Sequence, residues 1–382
     1  MEERQKHLKH SDQINLGSFY TPKHLVKIAY SLIKQHIPNL QNYIIADTSC
    51  GYGSFLSTDF ASPRQFIGAD IDPVAIERAR ISTPNATFFN INALQNVNRA
   101  KLNLSAQDRL IIIGNPPYND TTSLIRQQIK SSSKAESIDH DIKTRDFGMS
   151  FLLSYNKLQA DYICVLHPLS YLIKKANFST LQAFFKHYSL IDALVVSSHE
   201  FSDTSRGMAF PIIIALYHRG KGMVYSDIAS YGFQTKEGPV FRLNSLDSIA
   251  NYITKYPNRQ YLKASDKPLA KFYTMRDINA LRRSRTFIDK DMANTIYIPQ
   301  NKFAYYCYVD VFKRRYLDQL PYYVGNCDLM IDNQEFQKIK ECFVSDSIAN
   351  NSILKKHFTY KSPPNSEAKI DNYFKNLLGA FA

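Results

Sequence analysis

The first half of the chain alternates between two hydrophobic periods. TPKHLVKIAYSLIKQHI (21–37) carries apolar residues at helical spacing, with Thr21 placed as an N-cap and Pro22 at the first helical position. YIIAD (43–47) is a short β-branched run that reads as a buried strand, followed by a glycine turn and a short helix. QFIGADID (65–72) predicts a second strand and PVAIERARI (73–81) a second helix opened by proline. ATFFNINAL (86–94) and RLIIIG (109–114) read as the third and fourth strands. FGMSFLLSYNKLQ (147–159) predicts a helix, DYICVLHPLSYLI (161–173) a strand running into a loop, and LIDALVVSS (190–198) and AFPIIIALYH (209–218) two late strands. Strands that alternate with helices pair in parallel through right-handed crossovers, so the expected fold class is α/β, a doubly wound, mostly parallel sheet of Rossmann-like kind.

Past Gly222 the character changes. Periodicity becomes irregular and tyrosines crowd together, as in 305-YYCY-308 and 322-YY-323. We therefore expect two domains, 1–222 and 223–382, the second of α+β type. Residues 1–18 read as a polar arm, and 119–146 is the one loop long enough to suggest disorder.

Composition narrows the partners. With 44% hydrophobic and 21% charged residues, the chain is globular. Its net charge of +13 favours a polyanion, with an anionic membrane surface as the alternative. From residue 231 onward 23 Lys and Arg stand against 15 Asp and Glu, so much of the surplus lies there. Arg282, Arg283 and Arg285, and Lys313, Arg314 and Arg315, stand among the aromatics as candidate polyanion contacts; the bland reading is a solvated face. The five cysteines are scattered, without CxxC or zinc-like spacing, so we expect reduced thiols, no metal and a cytoplasmic protein. The N-terminus lacks an apolar signal core, and no apolar run reaches bilayer length, so no membrane association is expected.

The chemistry concentrates at strand ends, where open α/β sheets bind ligands. The fourth strand delivers Asn115-Pro116-Pro117-Tyr118. Two prolines fix their own φ and offer no N–H. The Asn115 side-chain carbonyl and the Pro116 backbone carbonyl then form two neutral acceptors suited to an NH₂ group, and Tyr118 adds a stacking face. The result is a socket for a planar ring bearing an exocyclic amine. After the first strand, DTSCGYGSF (47–55) places Gly51 and Gly53 for tight turning behind Asp47. Asp70 ends the second strand, where a carboxylate can accept both hydroxyls of a ribose; Asp72, directly before Pro73, suits the helix cap better. The G-x-G-x-x-G pattern is unmet and no phosphate-binding lysine follows, so a nucleoside without pyrophosphate fits.

In order, YTP (20–22), DTSCGYGSF, GADIDP (68–73), FFNINAL (88–94) and NPPY resemble the gamma class of S-adenosylmethionine-dependent DNA adenine-N6 methyltransferases, the Taq type of restriction–modification enzyme. The resemblance covers about 17–222, including FGMSFL and the HEFSDTS loop (199–205). It implies S-adenosyl-L-methionine as cofactor, with Thr21 on its methionine carboxylate and Asp47, Gly51 and Gly53 at its amino-acid end. Asp70 would take the ribose, Ile71 would pack on its adenine, and Asn92 would stand where the family usually has Asp. It implies Asn115, Pro116, Pro117 and Tyr118 as the catalytic segment, and Phe201 opposite Tyr118 against a flipped-out adenine. Thr48 departs from the family's usual proline in the glycine loop. Thr21 remains open between cap and ligand, Phe201 between core and base contact; His167 is assigned no role.

The expected function is therefore site-specific adenine-N6 methylation of double-stranded DNA, with residues 223–382 reading the target. A separately encoded restriction endonuclease is an allowed partner, since the sequence shows no carboxylate–lysine nuclease cluster of its own. Two other classes compete: a protein glutamine or RNA adenine methyltransferase using the same NPPY socket, and a non-catalytic binder with a decayed site.

Overall fold

The computed structural model describes residues 21–118, 138–201, 209–245, 247–258 and 268–379. The polar arm, Tyr20 of the YTP segment and most of the 119–146 loop lie outside these residues. The chain divides into two compact units, Met1–Lys236 and Glu237–Ala382.

The first unit is built on β1 (Ile44–Asp47), β2 (Gln65–Asp70), β3 (Ala86–Asn90), β4 (Leu110–Gly114), β5 (Tyr162–Pro168), β6 (Tyr188–Ser197), β7 (Pro211–Arg219) and β8 (Phe233–Thr235). Their spatial order is β3-β2-β1-β4-β5-β7-β6-β8. Strands β1 to β5 pair in parallel. Strand β7 runs antiparallel between β5 and β6, and β8 is parallel to β6. The doubly wound α/β class is thus observed, with one reversed strand. Every residue of β1 and β4 is buried, as central parallel strands covered on both faces require. Ile45, Ile111 and Ile113 join one core cluster with Leu25, Val26, Tyr30 and Ile33, the apolar stripe of helix α1 (Lys23–His36).

Three local differences from expectation have physical causes. The β1–β2 connection contains no helix. Turns close through Gly53 N–H to Cys50 O and Leu56 N–H to Gly53 O, and Gly51 and Gly53 sit at φ 51° and 82°, which breaks any helical run. The sheet continues to Thr235, so the first unit ends at Lys236 and not near Gly222: Leu194 and Val195 of β6 still need a partner, and Gln234 and Thr235 supply it. Residues 138–146 are tied down: Asp139 accepts from Asn96 N–H, Val97 N–H and Lys157 Nζ, and so holds the turn to helix α3 (Phe147–Leu158). Helix α2 (Pro73–Ser82) is as expected, with Asp72 Oδ1 accepting from Val74 N–H.

The second unit is mainly helical. Helices Phe303–Arg315, Asn333–Asn350 and Ser366–Gly379 pack together. Two short antiparallel pairs accompany them, Ala270–Tyr273 with Thr295–Ile298 and Asp247–Ser248 with Met330–Ile331. Tyr297, Tyr306, Tyr308, Tyr316, Tyr323 and Tyr373 are core residues, whereas Tyr256 and Tyr360 are exposed. Tyr308 is surrounded by Phe336, Phe343, Tyr373 and Phe374, and its hydroxyl donates to Met330 O.

Candidate active site

The parallel strands β1, β2 and β4 end side by side, and their last residues converge. Asp47 closes β1, Asp70 closes β2, and Asn115 follows β4. The glycine loop is stitched to this edge by Cys50 N–H to Ala69 O and by Gly51 N–H to Asp70 Oδ2 at 2.8 Å. Asp70 Oδ1 accepts from Asp72 N–H at 2.9 Å, so each oxygen keeps capacity for a further donor.

Asn115 is the decisive residue. Its Nδ2 donates to Thr21 Oγ1 at 3.1 Å. Its Oδ1 is buried and meets no hydrogen-bond partner among the described residues. A buried unpaired carbonyl costs about 1–3 kcal/mol, so its retention points to a ligand that donates to it. Thr21 therefore does not cap α1: Pro22 occupies that position without a side-chain bond, and the Thr21 hydroxyl, 4% exposed, serves the NPPY segment instead. Pro116 is buried, and Pro117 and Tyr118 are half-buried.

Asp47 lies beneath the socket. A Cβ at position 114 would stand 2.7 Å from Asp47 Oδ1, so the glycine that precedes Asn115 is what admits the carboxylate. The Gly-Asn pair in IIIGNPPY was readable as a motif; the need for its glycine was not, because the clashing group lies far away in sequence. Burial, reinforced by the charge of Asp70, pushes the Asp47 carboxyl up to about 8, against the opposing pull of Ser49, whose N–H donates to Asp47 Oδ1 at 3.0 Å. Burial likewise raises Asp70, against hydrogen bonds from Asp72 and Gly51 N–H. Beside Asp47, Thr48 Oγ1, Ser49 Oγ and Tyr155 OH are also buried without a partner among the described residues. They lie close enough for Tyr155 to sense Thr48, Ser49 and Asp47 electrostatically, although no pair reaches hydrogen-bond geometry. Two buried acids and several waiting hydroxyls suit a ligand with cationic and hydroxyl groups, and they would repel a pyrophosphate.

The remaining expected residues divide. Ile71 is an exposed apolar side chain, 46% accessible, just past the end of β2. Asn92 borders a small cavity with Thr48, Ile91, Lys101 and Leu158; its Oδ1 accepts from Leu94 N–H at 2.9 Å, and Lys101 Nζ holds the carbonyls of Asn92 and Gln95. Lys101 had no motif to announce it. Phe201 is 2% exposed and belongs to the core cluster on which Tyr118 packs, so it is an interior support and not a second open stacking face. The HEFSDTS loop beyond Phe201 lies outside the described residues.

Most of the basic candidates in the second unit are structural. Arg282 reaches Asp318 and Leu320 O. Lys313 donates to Ser284 O. Arg314 pairs with buried Asp310 at 3.0 Å and with Asp346 at 2.6 Å, and Arg315 pairs with Asp346, Glu367 and Asp371. Arg283 and Arg285 remain exposed.

Among the described residues no helix is long and apolar enough to cross a membrane, and no group of three His, Cys, Asp or Glu is set to hold a metal. Residues 6–183 match the model of the N-6 DNA methylase family. No curated protein sequence matches the chain. Solved structures similar to it include a type I restriction–modification methyltransferase subunit from Streptococcus thermophilus, at 16% identity and TM-score 0.38, covering 53% of this chain and 45% of that one. Another, from Listeria monocytogenes, is provisionally described as a class I S-adenosylmethionine-dependent methyltransferase: 15% identity, TM-score 0.39, 53% of this chain and 62% of that one. A third, from Pyrococcus horikoshii, is provisionally described as an RNA methyltransferase: 12% identity, TM-score 0.36, 54% of this chain and 88% of that one.

Proposed function

We propose that the chain is an S-adenosyl-L-methionine-dependent methyltransferase that methylates the exocyclic N6 of adenine in double-stranded DNA. The observation that carries this reading is the buried, unpartnered Oδ1 of Asn115, held in place through Thr21 at the end of β4. The match of residues 6–183 to N-6 DNA methylases supports it.

The cofactor, when bound, supplies an electrophilic methyl group. Asp70 at the β2 end would accept its ribose hydroxyls, Ile71 would cover its adenine, and Asp47 with the glycine loop would face its cationic end. The amine of adenine is a poor nucleophile because its lone pair is delocalised into the ring. Asn115 Oδ1 and Pro116 O, fixed before the substrate arrives, accept both N6 hydrogens and favour the pyramidal nitrogen that attacks. The positive charge that develops there is stabilised by dipoles already oriented, and the proton leaves to water after transfer. Within a duplex N6 is out of reach, so the base is extruded at a cost of a few kcal/mol. Stacking on Tyr118, worth roughly 1–3 kcal/mol, offsets much of that.

The test supplies purified protein and methyl-labelled cofactor with unmethylated genomic DNA, total RNA or soluble protein in separate reactions. Label in DNA is expected. Label in RNA or protein alone overturns the DNA reading, and label in none, with no cofactor binding, overturns the methyltransferase reading.

A further inference from the structure

We propose that Tyr171, held by Asp146 against Gly148, is a positioning residue that fixes the Tyr118 ring for the target base; the proposal rests on the role given to Tyr118 above. Tyr171 follows β5 in the LHPLSY stretch, and nothing in the NPPY motif points to it. Its hydroxyl donates to Asp146 Oδ1. The same oxygen caps α3, accepting from Gly148 N–H at 2.9 Å and Met149 N–H at 3.3 Å. Tyr118 packs onto this corner. A Cβ at position 148 would stand 2.5 Å from Tyr171 Oη, 3.0 Å from Tyr118 Cβ and 3.3 Å from Asp146 Oδ1. Glycine is therefore the residue that lets Tyr118 and the hydroxyl of Tyr171 both approach this helix turn.

Tyr171 is itself braced. Its ring stacks on His167 at 5.1 Å between centroids and 10° between planes. His167 Nδ1 lies 2.9 Å from Pro168 O, which can only accept, so Nδ1 carries the proton. His167 Nε2 then accepts from Tyr217 OH at 2.7 Å. Burial drives His167 down to about 4, so the ring stays neutral and the bond pattern is fixed at physiological pH. A rigid train thus runs from β7 through β5 to the α3 cap and ends at Tyr118. A base platform must hold one plane, because a misplacement of about 1 Å near the reacting atoms can cost about 10²-fold in rate.

The experiment combines Gly148→Ala, Tyr171→Phe and Tyr118→Ala. In Gly148→Ala the added methyl should displace the Tyr118 side chain in a crystal structure, lower kcat/KM for DNA roughly 10- to 100-fold, and leave the cofactor Kd near that of the parent. Tyr171→Phe alone, which removes the hydroxyl bond to Asp146, should also lower kcat/KM for DNA, and adding it to Gly148→Ala should not multiply the two losses. In a Tyr118→Ala background, Gly148→Ala should cost nothing further, the mark of two residues acting through one another. Full activity in Tyr171→Phe, multiplicative losses, or an unmoved Tyr118 would overturn the proposal. If the parent methylates no DNA, the function proposed above fails, while the crystallographic comparison still decides whether Gly148 and Tyr171 set the ring.

Discussion

Asn115 has one amide atom satisfied and one waiting, and that asymmetry separates a binding socket from a turn. Replacing it with alanine deletes the acceptor without touching Asp70 or the glycine loop. Asn115→Ala should therefore reduce methyl transfer by about 10²–10³-fold while cofactor Kd, read by calorimetry, changes little; a comparable loss of cofactor binding would count against the assignment. Asp47 gives a pH signature. Its carboxyl, pushed from 3.8 to about 8, keeps a proton in the folded, ligand-free protein over a range where the unfolded chain has lost it. Since the folded state binds more protons there, ligand-free stability should fall as pH rises from about 4 towards 8. A cationic ligand reverses the preference, so binding at pH 7 should release close to one proton, measured by calorimetry in buffers of differing ionisation enthalpy. No proton release would remove Asp47 from the cation site. These residues were legible because they stand where strands end. Phe201 was not, because its burial is set by core partners distant along the chain. Nor was Tyr171, whose tie to Asp146 crosses 25 positions.

At the scale of elements, helix α1 is fastened to β6 at both ends. His36 pairs with Asp192 at 2.6 Å, and His24 pairs with Glu200 at 2.6 Å, just past the strand. Glu200 also receives Lys236 at 2.5 Å, so three segments meet beside Phe201. Burial raises the Glu200 carboxyl, but Lys236 and His24 together hold it below its usual range. Its contribution is present above pH 4.5 and is lost as pH falls through the depressed value. Glu200→Gln should cost about 1 kcal/mol at neutral pH, or roughly 2–4 °C in melting midpoint, and the difference should vanish in strong acid. A pH-independent loss would make Glu200 a packing residue only. Strands β1 to β7 and helices α1 to α3 were readable from the sequence pattern; the three-residue β8, past Gly222, was too short to show a period. The absent β1–β2 helix was not, since the left-handed backbone of Gly51 and Gly53 outweighs the local pattern. Helix Phe303–Arg315 escaped because Tyr306 to Phe312 are all buried, which erases the amphipathic stripe.

For the whole molecule, the basic charge needs to be separated from the basic function. Arg314 serves Asp310, which also accepts from Thr286, Ser347 and Asn351. Arg314→Ala should destabilise the fold by about 3–5 kcal/mol through an uncompensated buried carboxylate, read as a lower melting midpoint. Arg283→Ala and Arg285→Ala should leave stability alone and each reduce the salt slope of DNA binding by roughly 1. The reverse pattern would make the Arg314 cluster the phosphate contact. On the proposed division of labour, a chain ending at Lys236 keeps cofactor binding and loses site selectivity. The central claim is the acceptor pair at the end of β4, and one measurement tests it most directly. Unmethylated DNA is treated with cofactor and either the parent or Asn115→Ala, digested, and its nucleosides are resolved by mass spectrometry. The account predicts N6-methyladenine from the parent and almost none from the variant; equal yields from both, or a methylated nucleoside other than N6-methyladenine, would contradict it.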